Sequence, residues 1–424
     1  MNISALKGLI SSDALNEQFS LLYQDIDAAK ARYLKACDGF LDVFGDRDNV
    51  RIFSAPGRTE VGGNHTDHQH GRVLAGSVDL DIIGIVSAND NSIIRIKSEG
   101  FKMDEINYNE LEIKDSEIGR AASLIRGMCA AFNNNGYKFG GFDAYTTSNV
   151  MKGSGLSSSA AFEVFIGTTM NFMFNDGSIS PVEIAKMSQY SESVYFGKPC
   201  GLLDQSASAL GGFTAIDFKD TNKPIVENIK FNLEEHNHVL CVVDTGGNHA
   251  NLTQDYADIT IECRNISNFF NEGFLRDVNE DAFFENIAAL KKECGDRAVL
   301  RAIHFFAEDK RADDEKIALQ NNDFDGFLKL INESGNSSYK YLQNTYSNSN
   351  VHEQGLCVGL ALTERFLKGR GACRVHGGGF AGTIQCFIPS NLINEYKSMI
   401  EKVFGTGSCY VLKIRPVGGY EFKI

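Results

Sequence analysis

Across 424 residues the chain is 43% hydrophobic and 23% charged, carries a formal net charge of -14, and holds ten cysteines scattered singly from Cys37 to Cys409. These are the proportions of a soluble globular protein with no run of about 18 apolar residues able to span a membrane, and the acidic excess argues against nucleic acid as the main partner. The length exceeds what one core can organise and predicts two domains, while the unpaired cysteine spacing predicts reduced, mostly buried thiols in place of a disulfide framework.

The amino terminus, MNISALKGLISSDALNEQF, has polar and acidic residues where a signal peptide carries its apolar core, so a cytoplasmic location is the expectation. Residues 2–45 read as helical, with Leu15, Phe19, Leu22, Ile26 and Leu34 at helix-like intervals, and predict a docked helix pair. A polar loop follows at 56–71. Residues 77–87 are apolar and β-branched and residues 92–98 alternate, with Asn89, Asp90 and Asn91 between them, which predicts a β-hairpin. Residues 118–132 predict a helix, 142–150 a strand, 152–159 a Gly/Ser turn and 160–174 an apolar helix. Pro181, at a favoured first-turn position, opens a helix to about Tyr195. The polar stretch 217–231, with one of only six prolines, is the expected domain boundary. Beyond it, 239–244, 383–388 and 410–414 read as strands and 255–270, 281–292, 314–333 and 351–367 as helices, a mixture that predicts an α+β domain.

Three glycine-bearing segments and one aspartate carry the chemistry. Residues 56–71, PGRTEVGGNHTDHQHG, crowd an arginine, an asparagine, three histidines and an aspartate between glycines, and such a loop is costly to keep unless it binds or catalyses. In KGSGLSSSA, residues 152–160, Gly153 and Gly155 let backbone N–H groups face an anion, Ser157–Ser159 add hydroxyls, and the next helix adds its positive end. The bland alternative is a simple N-cap. It is not a Walker loop, and no HRD or DFG motif of a protein kinase exists. HGGGFAG, residues 376–382, fits close approach to a ligand or another chain segment, or else a tight turn. In PCGLLDQSASALGG, residues 199–212, Asp204 could serve as general base, as hydroxyl acceptor or merely as a helix cap. The set His65, Asp67, His68 and His70 fits no ordinary zinc spacing.

Taken together, these segments resemble the galactokinase branch of the GHMP sugar and metabolite kinases, from about Asp38 to the end of the chain. The family motifs occur in family order: the sugar loop 57–71, the phosphate loop 153–160 and the glycine turn 377–382. The resemblance implies a two-domain α+β fold, with a ribosomal-protein-S5-like α/β domain at 1–222, a ferredoxin-like α+β domain at 223–424, and the active site in the cleft between them. It implies an ATP- and Mg²⁺-dependent sugar 1-kinase, a galactokinase, that works on small molecules as a monomer. By this resemblance Arg58 stabilises the transferring phosphoryl group and Asp204 faces the anomeric hydroxyl. Asn64, His65, Asp67, Gly201 and Tyr256 would bind the sugar. Gly153, Ser154, Gly155, Leu156, Ser157, Ser158 and Ser159 would hold ATP, and Ser158, Ser159 and Glu192 the Mg²⁺. Phosphoryl transfer asks mainly for positioning and charge neutralisation, which such a set can supply.

The chain departs from the family at the sugar loop, where GNHTDH stands for the usual GEHTDY. The family glutamate accepts a hydrogen bond from the C6 hydroxyl; Asn64 offers an acceptor and a donor, and would also face a carboxylate without like-charge repulsion. DHQ-x-G at 67–71 also resembles galacturonokinases of the same branch, which makes galacturonate the alternative substrate. The usual N-L-I after the loop arginine gives way to Thr59, Glu60 and Val61. A silent galactose and ATP sensor of this fold is the alternative of a different class; such relatives lose the Ser-Ala pair that Ser159 and Ala160 keep here. A mevalonate or homoserine kinase is disfavoured by the sugar loop.

Overall fold

The computed structural model describes residues 1–150, 155–198, 200–221, 223–247 and 252–424. Gly153 and Ser154 of the expected phosphate loop therefore lie outside the described residues. The chain opens with three helices, α1 (Ile3–Ser11), α2 (Asn16–Leu22) and α3 (Ile26–Phe44), where a pair was expected. Asn2 and Asp25 cap α1 and α3 by accepting the N–H groups of Ala5 and Ala28. Their buried faces, including Phe19, Tyr33 and Phe40, close over Ile52, Ile83 and Ile85 of the sheet beneath. Each such aromatic stabilises by about 1.5–3 kcal/mol on burial. Gly39 lets α3 lie flat on the sheet, since a Cβ there would meet the ring of Tyr145 at 2.2 Å.

That sheet is built from β1 (Arg51–Gly62), β2 (Arg72–Ala88), β3 (Ile93–Ser98), β4 (Met103–Asn107), β5 (Phe142–Ser148), β6 (Phe213–Asp217) and β7 (Ile225–Ile229). Helices α4 (Ala121–Asn134), α5 (Ser158–Phe174), α6 (Pro181–Tyr190) and α7 (Leu203–Leu210) interleave with these strands. The expected hairpin of 77–87 with 92–98 does not form. β5 lies between β2 and β3, antiparallel to the first and parallel to the second, and β3 makes its hairpin with β4. The chain does reverse at 89–91, since β2 and β3 run antiparallel to one another on either side of β5, which pairs with each of them.

The second sheet has the order β11 (Cys409–Leu412), β8 (His238–Asp244), β10 (Thr383–Pro389), β9 (Ala372–Val375), antiparallel throughout. Alternation sorts its residues: Cys241, Val243, Ile384 and Cys386 face α13 (Gly355–Leu367) and α14 (Ile393–Phe404), while Leu240, Val242 and Phe387 meet Phe327 and Ile331 of α12 (Phe324–Ser337). The remaining helices, α8 (Thr253–Phe269), α9 (Glu280–Glu285), α10 (Ile287–Cys294) and α11 (Asp296–Gln320), form a bundle beside both sheets. The helix expected at 314–333 is instead the end of α11 and most of α12, broken at Asn321–Asp323, where Asp323 caps α12. All ten cysteines are free thiols.

The boundary expected at 222/223 falls inside the first sheet, because β7 pairs with β6 across it. The chain also returns there at its end: β12 (Tyr420–Glu421) pairs with β1. Arg415 on this returning segment donates to Asp81, the buried carboxylate that also accepts from Arg32 of α3 and from Tyr23. One carboxylate thus ties both ends of the chain to the centre of the first sheet.

Candidate active site

Arg58 lies on β1. A register shift between Pro56 and Arg58 bends the strand, and a Cβ on Gly57 would meet the carbonyl of Leu156 at 2.7 Å, so glycine lets β1 pass directly beneath the phosphate loop. Arg58 N donates to Leu156 O at 3.1 Å, its guanidinium donates to Gly155 O, and Nε lies 2.7 Å from Asp204 Oδ1. Asp204 stands in the first turn of α7, and its other oxygen accepts from Ser157 Oγ. Both side chains are partly buried, so the pair is neither lost in the core nor fully screened by water.

Ser157 precedes α5 with φ 55°, and Ser158 and Ser159 open the helix. Ser159 Oγ donates to Glu192 Oε1 at 3.0 Å. Glu192 is buried where α6 runs on into a π-helical turn at Ser191–Phe196, the kind of irregularity that re-aims a side chain. Lys198 Nζ lies 3.1 Å from its Oε1, and Gln205 Nε2 donates to its Oε2 at 2.7 Å and to Glu163 Oε2 at 3.2 Å. Burial, and next the charge of Glu192, push the Glu163 carboxyl well above the usual range, and among the described residues its Oε1 has no hydrogen-bond partner.

The sugar loop closes onto the glycine turn of the second sheet. His65, with φ 59°, donates from Nε2 to Gly378 O at 2.8 Å, which leaves Nδ1 as an acceptor. Burial first, and the neighbouring His68 next, lower His65 to about 4, so the ring is neutral near pH 7. Tyr256 stacks beside it at 6.5 Å between ring centroids and donates to Gly379 O at 2.9 Å. A Cβ on Gly378 would meet the Tyr256 ring at 2.6 Å, which explains the glycine. Asp67 Oδ2 would lie 3.8 Å from a Cβ on Gly201, so carboxylate and backbone face one another. With His68, Lys186, Cys200 and Phe218 they line a cavity of about 270 Å³. His70 points away and stacks on Phe274 at 3.5 Å, so the histidines do not converge. Among the described residues no group of three metal-ligating side chains is brought together.

Asn64 behaves differently from its neighbours. It is fully buried, and its side chain is saturated: Nδ2 donates to Glu60 Oε1 at 2.9 Å and to Gly377 O at 2.8 Å, while Oδ1 accepts from Asn344 at 2.8 Å and Ser338 at 3.2 Å. The expected sugar contact at Asn64 therefore has no donor or acceptor to spare in this structure, in contrast to His65 and Asp67.

His376 joins the three motifs. Gln385 donates to Thr59 Oγ1 at 2.7 Å, leaving the Thr59 hydroxyl to donate to His376 Nε2 at 3.0 Å, and Nδ1 in turn donates to Thr383 Oγ1 at 2.8 Å. Burial, then Arg58 and Arg374, hold this ring at about 3. The sequence pattern passed over several residues that build the site: Glu60 with Arg374, Gln205, Lys198, and above all His304 and Glu308 on α11. Their signal was helical spacing, hidden because charged residues at that spacing read as a solvated face.

Two family models match the first half of the chain: the galactokinase galactose-binding signature at residues 38–88, which spans the loop at 57–71, and the GHMP kinase N-terminal domain at residues 122–212, which spans Ser157–Ser159 and Asp204. A galactokinase of Actinobacillus pleuropneumoniae is 30% identical over 82% of this chain and 87% of its own length, and that of its serotype 5b strain L20 is 30% identical over 86% and 92%. The chain belongs to the galactokinase family of GHMP kinases. A Clostridium tetani galactokinase follows at 27% identity over 85% of this chain and 89% of its own. The fold agrees: a Lactococcus lactis galactokinase crystallised with galactose superposes with a TM-score of 0.75 at 23% identity, covering 92% of this chain and 100% of its own. A Methanococcus jannaschii mevalonate kinase gives 0.61 at 17% identity, over 87% and 99%. In this chain the signature match begins at residue 38, inside α3, so most of the α1–α3 layer lies before it.

Proposed function

We propose that the chain is an ATP-dependent galactokinase that moves the terminal phosphoryl group of ATP to the C1 hydroxyl of galactose. The observation that carries this is the Arg58–Asp204 pair, 2.7 Å apart where the sugar loop, the phosphate loop and α7 converge. As the bond from sugar O1 to phosphorus forms and the bond to ADP breaks, the O1 proton passes to Asp204. The hydroxyl is far less acidic than a carboxylic acid, so this transfer comes late, and Asp204 mainly orients O1 until then. Arg58 neutralises charge on the transferring group. Bound with ATP, Mg²⁺ would supply further neutralisation; Ser159, Ser158 and Glu192 offer the hard oxygen donors it prefers beside phosphates, with Glu192 aimed by Gln205 and Lys198. To His65 Nδ1, Asp67, the Gly201 backbone and Tyr256 we assign the ordering of sugar hydroxyls, on the strength of their convergence at the loop and the adjoining cavity.

The test is ADP release with galactose, galacturonate, arabinose, glucose and N-acetylgalactosamine. Galactose turns over fastest. Turnover of galacturonate alone would replace the substrate, and a galactose-induced rise in Tm without turnover of any sugar would favour a sensor. Arg58→Ala lowers kcat about 10³-fold and Asp204→Asn about 10²–10⁴-fold with Tm retained; near-native kcat in either sinks the mechanism.

A further inference from the structure

Helix α11 runs beneath the sugar loop with an unusual face. Arg301, His304, Glu308 and Glu315 recur at helical spacing, and all four are buried. Glu308 Oε1 accepts from the backbone N–H groups of Gly63 and Asn64, each at 3.3 Å, and from Ser334 Oγ at 2.5 Å, while Oε2 pairs with Arg311. One turn earlier, His304 Nε2 donates to the Asn64 carbonyl at 3.0 Å and Nδ1 accepts from Ser337 Oγ at 2.9 Å. Asn64 is therefore held at its backbone N–H and C=O by two side chains of one helix, and at its amide by Glu60, the glycine turn, Ser338 and Asn344.

The next residue, His65, needs a left-handed backbone, and Asp67 follows two positions later. A non-glycine residue keeps that conformation only where its surroundings hold it. Burial alone would raise Glu308, yet the charges of Arg311 and Arg374 and the hydrogen bond from Ser334 work against it and the carboxyl lies below its usual range, so the acceptor of both loop N–H groups stays ionised. Asn64 itself is saturated and has no exposed surface.

We propose that Glu308 and His304 are positioning residues of the sugar site, acting through Asn64, and that Asn64 is a structural joint between sugar loop, glycine turn and α11, making no contact with the sugar. The sugar-binding part rests on the galactokinase reading; the loop-anchoring part does not. Glu60 explains why the joint is an amide. Its carboxylate accepts from Asn64 and is shared with Arg374 at 2.8 Å, so a second carboxylate at position 64 would meet a like charge.

Two measurements test this. Hydrogen exchange by mass spectrometry compares native protein with Glu308→Gln and the milder Ser334→Ala. In Glu308→Gln the segment 57–71 exchanges at least tenfold faster while residues 51–56 keep native protection, and Ser334→Ala shows a smaller effect in the same segment. Steady-state kinetics with galactose show a 10- to 100-fold rise in sugar KM for Glu308→Gln, with KM for ATP and kcat within threefold of native. Folded Glu308→Gln with native loop exchange overturns the anchoring even if no sugar is turned over; native sugar KM in an active enzyme overturns the positioning role. Asn64→Glu separates joint from contact. The joint requires weakened galactose binding that Glu60→Asn in the same chain restores, whereas unchanged or tighter binding by Asn64→Glu alone overturns it.

Discussion

Replacing His376 with asparagine exposes the cost of keeping a neutral imidazole among cations. In the fold this ring stays neutral down to about 3, because it is buried and faces Arg58 and Arg374; in the unfolded chain it titrates at 6.5. Its folded value is depressed, so the folded state binds fewer protons between those limits. The stability it confers is complete above 6.5 and drains away as pH falls toward 3. At pH 5 the unfolded chain gains RT ln(1 + 10^1.5), about 2 kcal/mol, by protonating this one ring, while the folded ring gains nothing. Total stability hides this, because Glu163 and Glu315, whose folded values are raised, change in the opposite sense over the same range. The difference between native and His376→Asn isolates it. Urea unfolding at pH 7.5 shows the variant less stable, since the links to Thr59 and Thr383 are lost. By pH 5 that gap narrows by about 2 kcal/mol. A gap constant within about 0.5 kcal/mol across this range would refute the assignment of a neutral, proton-excluding ring.

Two further substitutions probe the scaffold. Arg415→Ala removes a fully buried guanidinium that donates to Ser54 at 2.6 Å, Asp81 at 3.1 Å and Gly418 at 2.7 Å, and lowers stability in urea by about 3–5 kcal/mol. Adding Asp81→Asn to it costs less than the sum of the two single changes, and strict additivity would contradict the shared network. Gly62→Ala places a methyl 1.6 Å from Glu315 Oε2 and costs about 1–3 kcal/mol, measured by thermal unfolding. Glu315→Ala in the same chain recovers most of that loss; no recovery would show that the backbone of Gly62 matters and not the overlap.

The loops were legible because their residue types have few other uses. Arginine, histidine and aspartate between glycines at 57–71, and serines after glycines at 153–159, point to ligands whatever surrounds them. Helix α11 was not legible, because Arg301, His304, Glu308 and Glu315 have the pattern of a solvent-facing stripe and are buried only because α8, α12 and the sugar loop pack over them. Local patterns also could not reveal that β5 would part β2 from β3, or that two residues near the carboxyl terminus would form β12, since sheet order depends on contacts distant in sequence. Asn64 was the sharpest difference: one residue next to His65 looked like a ligand, and only its four side-chain partners show that its hydrogen bonds are already spoken for.

The pairing of β12 with β1 has a consequence for how the protein is made. A ribosome delivers β1 hundreds of residues before its edge partner, so that edge stays open through most of synthesis, with its N–H and C=O groups available to other chains. The same closure brings the two ends together: Gln18 of α2 and Lys423 exchange hydrogen bonds at 3.0 and 2.9 Å. The first domain to emerge is therefore the last to be completed, and a chain that stops a dozen residues short would leave it both unlatched and sticky.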